Sequence, residues 1–279
     1  DGSPQVFKRE GADEFMKQFP TMPKKPIDTP EAAVAFVDRM VLNGVHFIKT
    51  YEMLRPEVFA ALVERAHYHG LRVDGHIPQR MTTREAIAAG IDGIVHLKGT
   101  DYGCARDPEG LRDERVAIMD AADESEHGAY LWLRVINISG HKAMAQQDPA
   151  RCDELVELFA RKGIWHTPGI STEAFLSKSR EEIMHYEDLD YVPIIAKLAK
   201  LFQYGKLKGG EYSETSQHMV DKRAWKQILI AKMHKAGVNF LAGTDSPALL
   251  LPCSSLHAEL EALVDAGLPP LVALQAATI

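Results

Sequence analysis

The 279 residues fit a single α/β barrel of about 250 residues as well as they fit two smaller domains. With 46% hydrophobic and 25% charged residues, the chain has the usage of a folded globular protein, which excludes disordered and fibrous classes. A net charge of -7 without a local basic patch opposes phosphate backbones and anionic membrane surfaces, so neither nucleic acid nor membrane is expected as a partner.

In chain order, Asp1-Gly2-Ser3-Pro4 offers neither an initiator Met nor the regions of a signal peptide, and Ile279 follows directly on an apparent helix; both ends read as cuts, and the compartment stays open. No apolar run approaches the ~18 residues that span a bilayer. Thr29 and Pro30 open a helix to Leu42, and Gly44 leads into a buried run from Val45 to Tyr51 that carries Lys49. A second helix, Pro56 to His69, puts Val58, Ala61, Leu62 and Ala66 on one face, and Gly70 precedes a run ending in His76. Thr82 and Glu85 form a capping box, and Gly90 precedes a run ending in His96. Asp148-Pro149 opens a helix to Lys162, followed by Ile164 to Pro168; Ala224 to Ala236 is followed by Val238 to Asp245. Two more helices are expected over His257 to Ala266 and Pro269 to Ala277. Cys104, Cys152 and Cys253 are odd in number and form no CxxC pair, so neither a disulfide framework nor a thiolate zinc knuckle is expected.

Helices alternating with short buried runs imply parallel βαβ units. Lys49, His76, His96 and Asp245 all fall at the ends of such runs, where barrel enzymes gather their chemistry from several strands. No GxGxxG or P-loop follows the first run, so a TIM-like (β/α)8 barrel is expected rather than a doubly wound nucleotide-binding sheet. The barrel is expected to be incomplete, because five strands lie between Val45 and Asp245 and at most one more fits before Thr29. One barrel domain over residues 1–279 is anticipated, with a lid insertion at 171–223 that carries Phe175, Tyr186, Tyr191, Phe202, Tyr204 and Tyr212.

Imidazole and carboxylate are the usual ligands of a catalytic divalent ion, zinc being the expected one. An ammonium would repel such ions, but a neutral Lys49 can react with carbon dioxide to give a carbamate that bridges two of them. Burial between Phe47 and Ile48 is expected to favour the neutral amine. Two ions about 3.5 to 4 Å apart share a hydroxide and polarise a carbonyl, and Asp245 can accept the proton from the attacking water. That is a hydrolytic site for a small-molecule substrate.

The runs Phe47-Ile48-Lys49-Thr50-Tyr51, Gly75-His76-Ile77-Pro78, Ile94-Val95-His96-Leu97, Leu241-Ala242-Gly243-Thr244-Asp245 and Ser255-Leu256-His257-Ala258-Glu259-Leu260 stand in the order seen in the amidohydrolase superfamily. The chain resembles its imidazolonepropionase-like and prolidase-like branch. This resemblance implies that strands 4 to 8 of the barrel are present, and that the family's first-strand His-x-His pair and its β-sandwich have no counterpart here. It also makes Lys49 the carboxylated bridging lysine, His76 and His96 ligands of the more exposed ion, and Asp245 both a ligand of the buried ion and the proton acceptor. The implied activity is hydrolysis of an amide, peptide or cyclic amide bond. Val95, Pro252-Cys253-Ser254 and Trp165 to Gly169 depart from the family pattern and bear on substrate identity. An acyl-proline dipeptide, an imidazolone and a lactam fit the same pocket-facing residues.

Tyr51, His166 and His257 are lesser candidates, for substrate contact. His67, His69 and His234 fall in last turns of helices, where positive charge is favourable, and His46 is offset by one from the candidate-bearing face. Two other readings stay open. Lys49 at a barrel strand end also suits Schiff-base lyase or aldolase chemistry, and a chain lacking half of the metal site is an inactive metal-binding or interaction fragment. A homo-oligomer is compatible with any of the three.

Overall fold

A computed structural model describes residues 27–121, 135, 139–176, 182, 216–246 and 254–278. The chain divides into two compact units, Asp1–Ile164 and Trp165–Ile279.

The first described element of the first unit is α1 (Pro30–Leu42), whose N-cap Thr29 accepts a hydrogen bond from the Ala32 N–H and whose Ala33, Val37 and Met40 form the buried stripe. It packs against α2 (Pro56–Tyr68), which buries Val58, Phe59, Leu62, Val63 and Ala66. Between and after them run β1 (Phe47–Thr50), β2 (Arg72–Gly75) and β3 (Gly93–Val95), neighbours in that order and parallel, with Lys49 opposite Asp74 and Gly75 opposite both Thr50 and Ile94. Ile48, Val73 and Ile94 form their buried face. The Thr82–Glu85 capping box is formed in both directions and starts α3 (Thr83–Ala88). After β3 come α4 (Thr100–Gly103), α5 (Pro108–Asp120) and α6 (Pro149–Lys162), the last two opened by Asp107 and Asp148 as N-caps.

The cysteine reading needs correction. Cys104 and Cys152 form a disulfide, because the backbone brings the residue after α4 to α6 through Asp148 N–H donating to the Cys104 carbonyl at 2.8 Å. The two cysteines are 48 residues apart in sequence, a distance closed here by the helical insertion between β3 and α6.

In the second unit β4 (Trp165–Thr167) is followed by α7 (Ile170–Leu176), α8 (Ser216–Lys235), α9 (Ser254–Asp265) and α10 (Pro270–Thr278). Its core holds Ile170, Leu229, Ile230, Met233, Leu263, Leu268 and Ala273. The strand expected over Val238 to Asp245 shrinks to one parallel bridge between Phe240 and His166. The reason is a change of partner: the Leu241 N–H donates to the His166 carbonyl, but the next N–H, that of Ala242, donates to Ala276 of α10, so the chain leaves the ladder. Otherwise the α/β reading holds, with parallel strands alternating with helices. The 171–223 insertion lies mostly outside the described residues, as do Tyr186, Tyr191, Phe202, Tyr204 and Tyr212. Among the described residues no helix is long and apolar enough to cross a membrane.

Candidate metal-binding site

His76 directly follows β2, and two features of the backbone fix it there. Its N–H donates to the Thr50 carbonyl at 3.1 Å and its own carbonyl accepts from the Thr50 hydroxyl at 3.2 Å, tying it to the end of β1. Gly75, at φ 157°, permits this close approach, because a Cβ there would meet the backbone of Thr50. The imidazole is buried, and Tyr51 stacks on it with ring centroids 4.6 Å apart.

His96 follows β3 in a turn closed by Lys98 N–H donating to the Val95 carbonyl at 3.1 Å. Both central residues, His96 and Leu97, hold positive φ, at 57° and 52°. Such backbone costs a non-glycine residue roughly 1–3 kcal/mol and persists only where surroundings impose it; here the buried Leu97 side chain anchors the turn. His96 meets the His76 ring edge-on, with centroids 5.4 Å apart. The structure thus brings together the two histidines predicted to share one ion.

A residue that the sequence reading missed completes this arrangement. Glu52, fully buried, accepts from His76 Nδ1 at 2.7 Å and from Gln79 Nε2 at 2.8 Å, and forms an ion pair with Lys98 Nζ at 3.4 Å. Burial pushes its carboxyl pKa up, but the Lys98 charge and the His76 and Gln79 hydrogen bonds prevail and hold it well below the usual carboxylate range. Burial pushes the His76 pKa down, and Glu52 only partly opposes that. An ionised carboxylate facing a neutral imidazole results, with Lys98 as counter-charge. The only sequence signal for Glu52 was an acidic residue just past a strand end.

The donor set fits a divalent ion. With Nδ1 engaged by Glu52, the other ring nitrogen of His76, Nε2, is buried without a hydrogen-bond partner, the usual state of an imidazole whose lone pair is kept for a metal. Among the described residues, however, no group of three or more His, Cys, Asp and Glu side chains is gathered closely enough to enclose an ion. His76 and His96 therefore form a pair of donors and not a closed site.

Lys49 requires a correction: it is exposed on β1, as is Phe47, so it is not buried between Phe47 and Ile48 as expected. Its register opposite Asp74 places it on the sheet face that His76 continues, and its charge lowers the His76 pKa after the larger influences of burial, Glu52 and Lys98.

The remaining candidates lie in the second unit. Asp245 is exposed and has φ 55°, in a segment where Thr244 Oγ1 accepts from the Ser246 N–H and lies 3.3 Å from Ser255 Oγ. His166 is fully buried on β4, and burial lowers its pKa to about 3. His257 is exposed on α9, while Glu259, two residues on, is buried and accepts from the Ile170 and Ser171 N–H groups, capping α7. In the first unit, His67 and His69 bond Asp92 and Asp38, each at 2.9 Å, so carboxylate pairing accounts for both more directly than helix capping does.

No family model and no curated protein sequence matches the chain. Solved structures do. A bottromycin amidohydrolase is 19% identical, with a TM-score of 0.60 over 94% of this chain and 50% of its own. Another amidohydrolase is 17% identical, with a TM-score of 0.50 over 91% of this chain and 46% of its own. A Xaa-Pro dipeptidase with bound methionine is 18% identical and covers 96% of this chain and 52% of its own, at a TM-score of 0.47. The chain shares the fold of these amidohydrolase structures over the part it covers, and spans about half of their length.

Proposed function

We propose that this chain carries part of the catalytic domain of a metal-dependent hydrolase that cleaves an amide, peptide or cyclic amide bond of a small molecule. The observation that carries the reading is the His76–His96 pair at adjacent strand ends, with His76 oriented by a buried carboxylate and its Nε2 left for a ligand. The amidohydrolase fold supports the reaction class. When bound, zinc or a similar ion supplies a water that is acidic near neutral pH and a charge that polarises the carbonyl.

The chain's own residues divide the work. His76 and His96 would hold the ion through ring nitrogens, and Lys98 balances Glu52 so that His76 need not take a second proton. Lys49 is proposed as a further ligand in its carbamate form. Asp245 accepts the proton of the attacking water and passes it to the leaving nitrogen, a role that rests on the sequence resemblance and on its left-handed backbone.

The test is turnover of acyl-proline dipeptides, imidazolones and lactams by the chain loaded with zinc, with and without chelator. Chelator-sensitive release of amine is expected. Asp245→Asn should lower turnover by about 10²–10⁴-fold while leaving bound zinc in place. Unchanged turnover in that variant removes Asp245 from the chemistry; turnover that survives chelation, with an adduct trapped on Lys49 by borohydride, replaces hydrolysis with the Schiff-base reading.

A further inference from the structure

On α5 the residues Leu111, Arg115 and Met119, spaced four apart, face the core, so an arginine stands in the middle of an apolar stripe. It is 1% exposed. Its Nε donates to the Gln79 carbonyl at 3.0 Å and its Nη2 to the Met81 carbonyl at 3.3 Å, while the Tyr102 ring lies under the guanidinium with its centroid 4.0 Å away. Carbonyls and a ring face supply partial negative charge only. Among the described residues Arg115 forms no ion pair; Asp101 and Glu114 act on it through space, and Arg112 opposes them. Burial pushes its pKa down, yet a guanidinium keeps its proton at neutral pH.

The remaining nitrogen, Nη1, is buried and has no hydrogen-bond partner. Arg115 lines a small cavity with Ile77, Pro78, Met81, Thr83 and Tyr102. The hydroxyls there are committed: Thr83 donates to the Gly99 carbonyl at 2.7 Å, and Tyr102 donates to Ser139, whose own proton goes to the Val135 carbonyl. The cavity admits one occupant of about the size of a water molecule, which excludes sulfate, phosphate and carboxylates. A water would satisfy Nη1 and leave the charge uncompensated; a monatomic anion does both.

We infer that Arg115 binds one small monovalent anion, chloride or one of similar size, through Nη1 in this cavity. The site shares no ligand with the histidine pair. It reaches the neighbouring loop through Gln79, whose carbonyl binds Arg115 and whose side chain binds Glu52, so an anion that fixes Arg115 stiffens the connection from β2 to α3.

The test uses the full chain, dialysed into sodium gluconate. Replacing gluconate by chloride at constant ionic strength should raise the thermal midpoint saturably, by about 2–4 °C at chloride tenfold above half-saturation, and slow amide exchange at Gln79 and Met81. Arg115→Met should abolish the chloride dependence. Crystals grown without chloride and soaked in sodium bromide should show an anomalous peak at hydrogen-bond distance from Arg115 Nη1, which decides the matter in the wild type even if the variant does not fold. A midpoint equal in chloride and gluconate, or bromide found only elsewhere, overturns the proposal and assigns a water to Nη1.

Discussion

His76 and His166 both stand at parallel strands, and both are buried, yet they differ in what surrounds them. His166 is held neutral by burial, which lowers its pKa to about 3. His76 is also pushed down by burial, but it faces an ionised carboxylate that has its own counter-ion. Burial alone accounts for a neutral histidine; a buried carboxylate on one nitrogen, with the other without a hydrogen-bond partner, is the arrangement on which the proposed ligand role of His76 rests. The same contrast separates Asp245, exposed on a left-handed residue, from Glu259, buried and used up in capping α7.

The largest expected effect that sharpens this comparison is on folding. The Cys104–Cys152 bond lies within the first unit and closes a span of 48 residues, worth ~4 kcal/mol in the chain-entropy description. Reduction should lower the free energy of unfolding by about that amount, read as a lower denaturant midpoint, and speed amide exchange in β1 to β3. Unchanged exchange would show that the His76 framework does not depend on the crosslink.

A pH titration over pH 5 to 7 should produce a smaller effect and bears on His166. Its folded pKa of about 3 lies below the ordinary value of 6.5, so the unfolded chain binds the extra proton between those values and stability must rise with pH there. Full stability from this group is present above pH ~6.5 and declines by up to ~1.4 kcal/mol per unit as pH falls toward 3. His166→Phe should flatten that slope in urea unfolding at pH 5 to 7; a slope of wild-type size would assign the proton elsewhere. The smallest expected effect is at α3, where Thr82→Ala removes the cap and should cost about 1 kcal/mol by the same unfolding assay while leaving zinc affinity unchanged.

How much of this was legible in the sequence depended on whether the signal was local. Helix caps such as Thr29, Thr82 and Asp148 act within three residues and were read correctly, as were the ends of α1 and α6. His76 and His96 were placed at strand ends because that position is a local property. Glu52 was not, because its role exists only once β1 and β2 align and bring it to His76 and Gln79. The same holds for Cys104 and Cys152, joined by the path of the insertion, and for the lost strand after Val238, whose Ala242 N–H is taken by α10. Lys49 was misjudged in the opposite direction: apolar neighbours in sequence do not bury a side chain that shares its exposed face with Phe47.

The most direct test of the central claim is the zinc stoichiometry of the metal-free chain after titration, compared between wild type, His76→Ala and His96→Ala. The account predicts at least one equivalent bound by the wild type, and a loss of affinity in both variants that leaves their far-ultraviolet circular dichroism unchanged. Zinc bound equally well without His76, or not bound by the wild type, would contradict it.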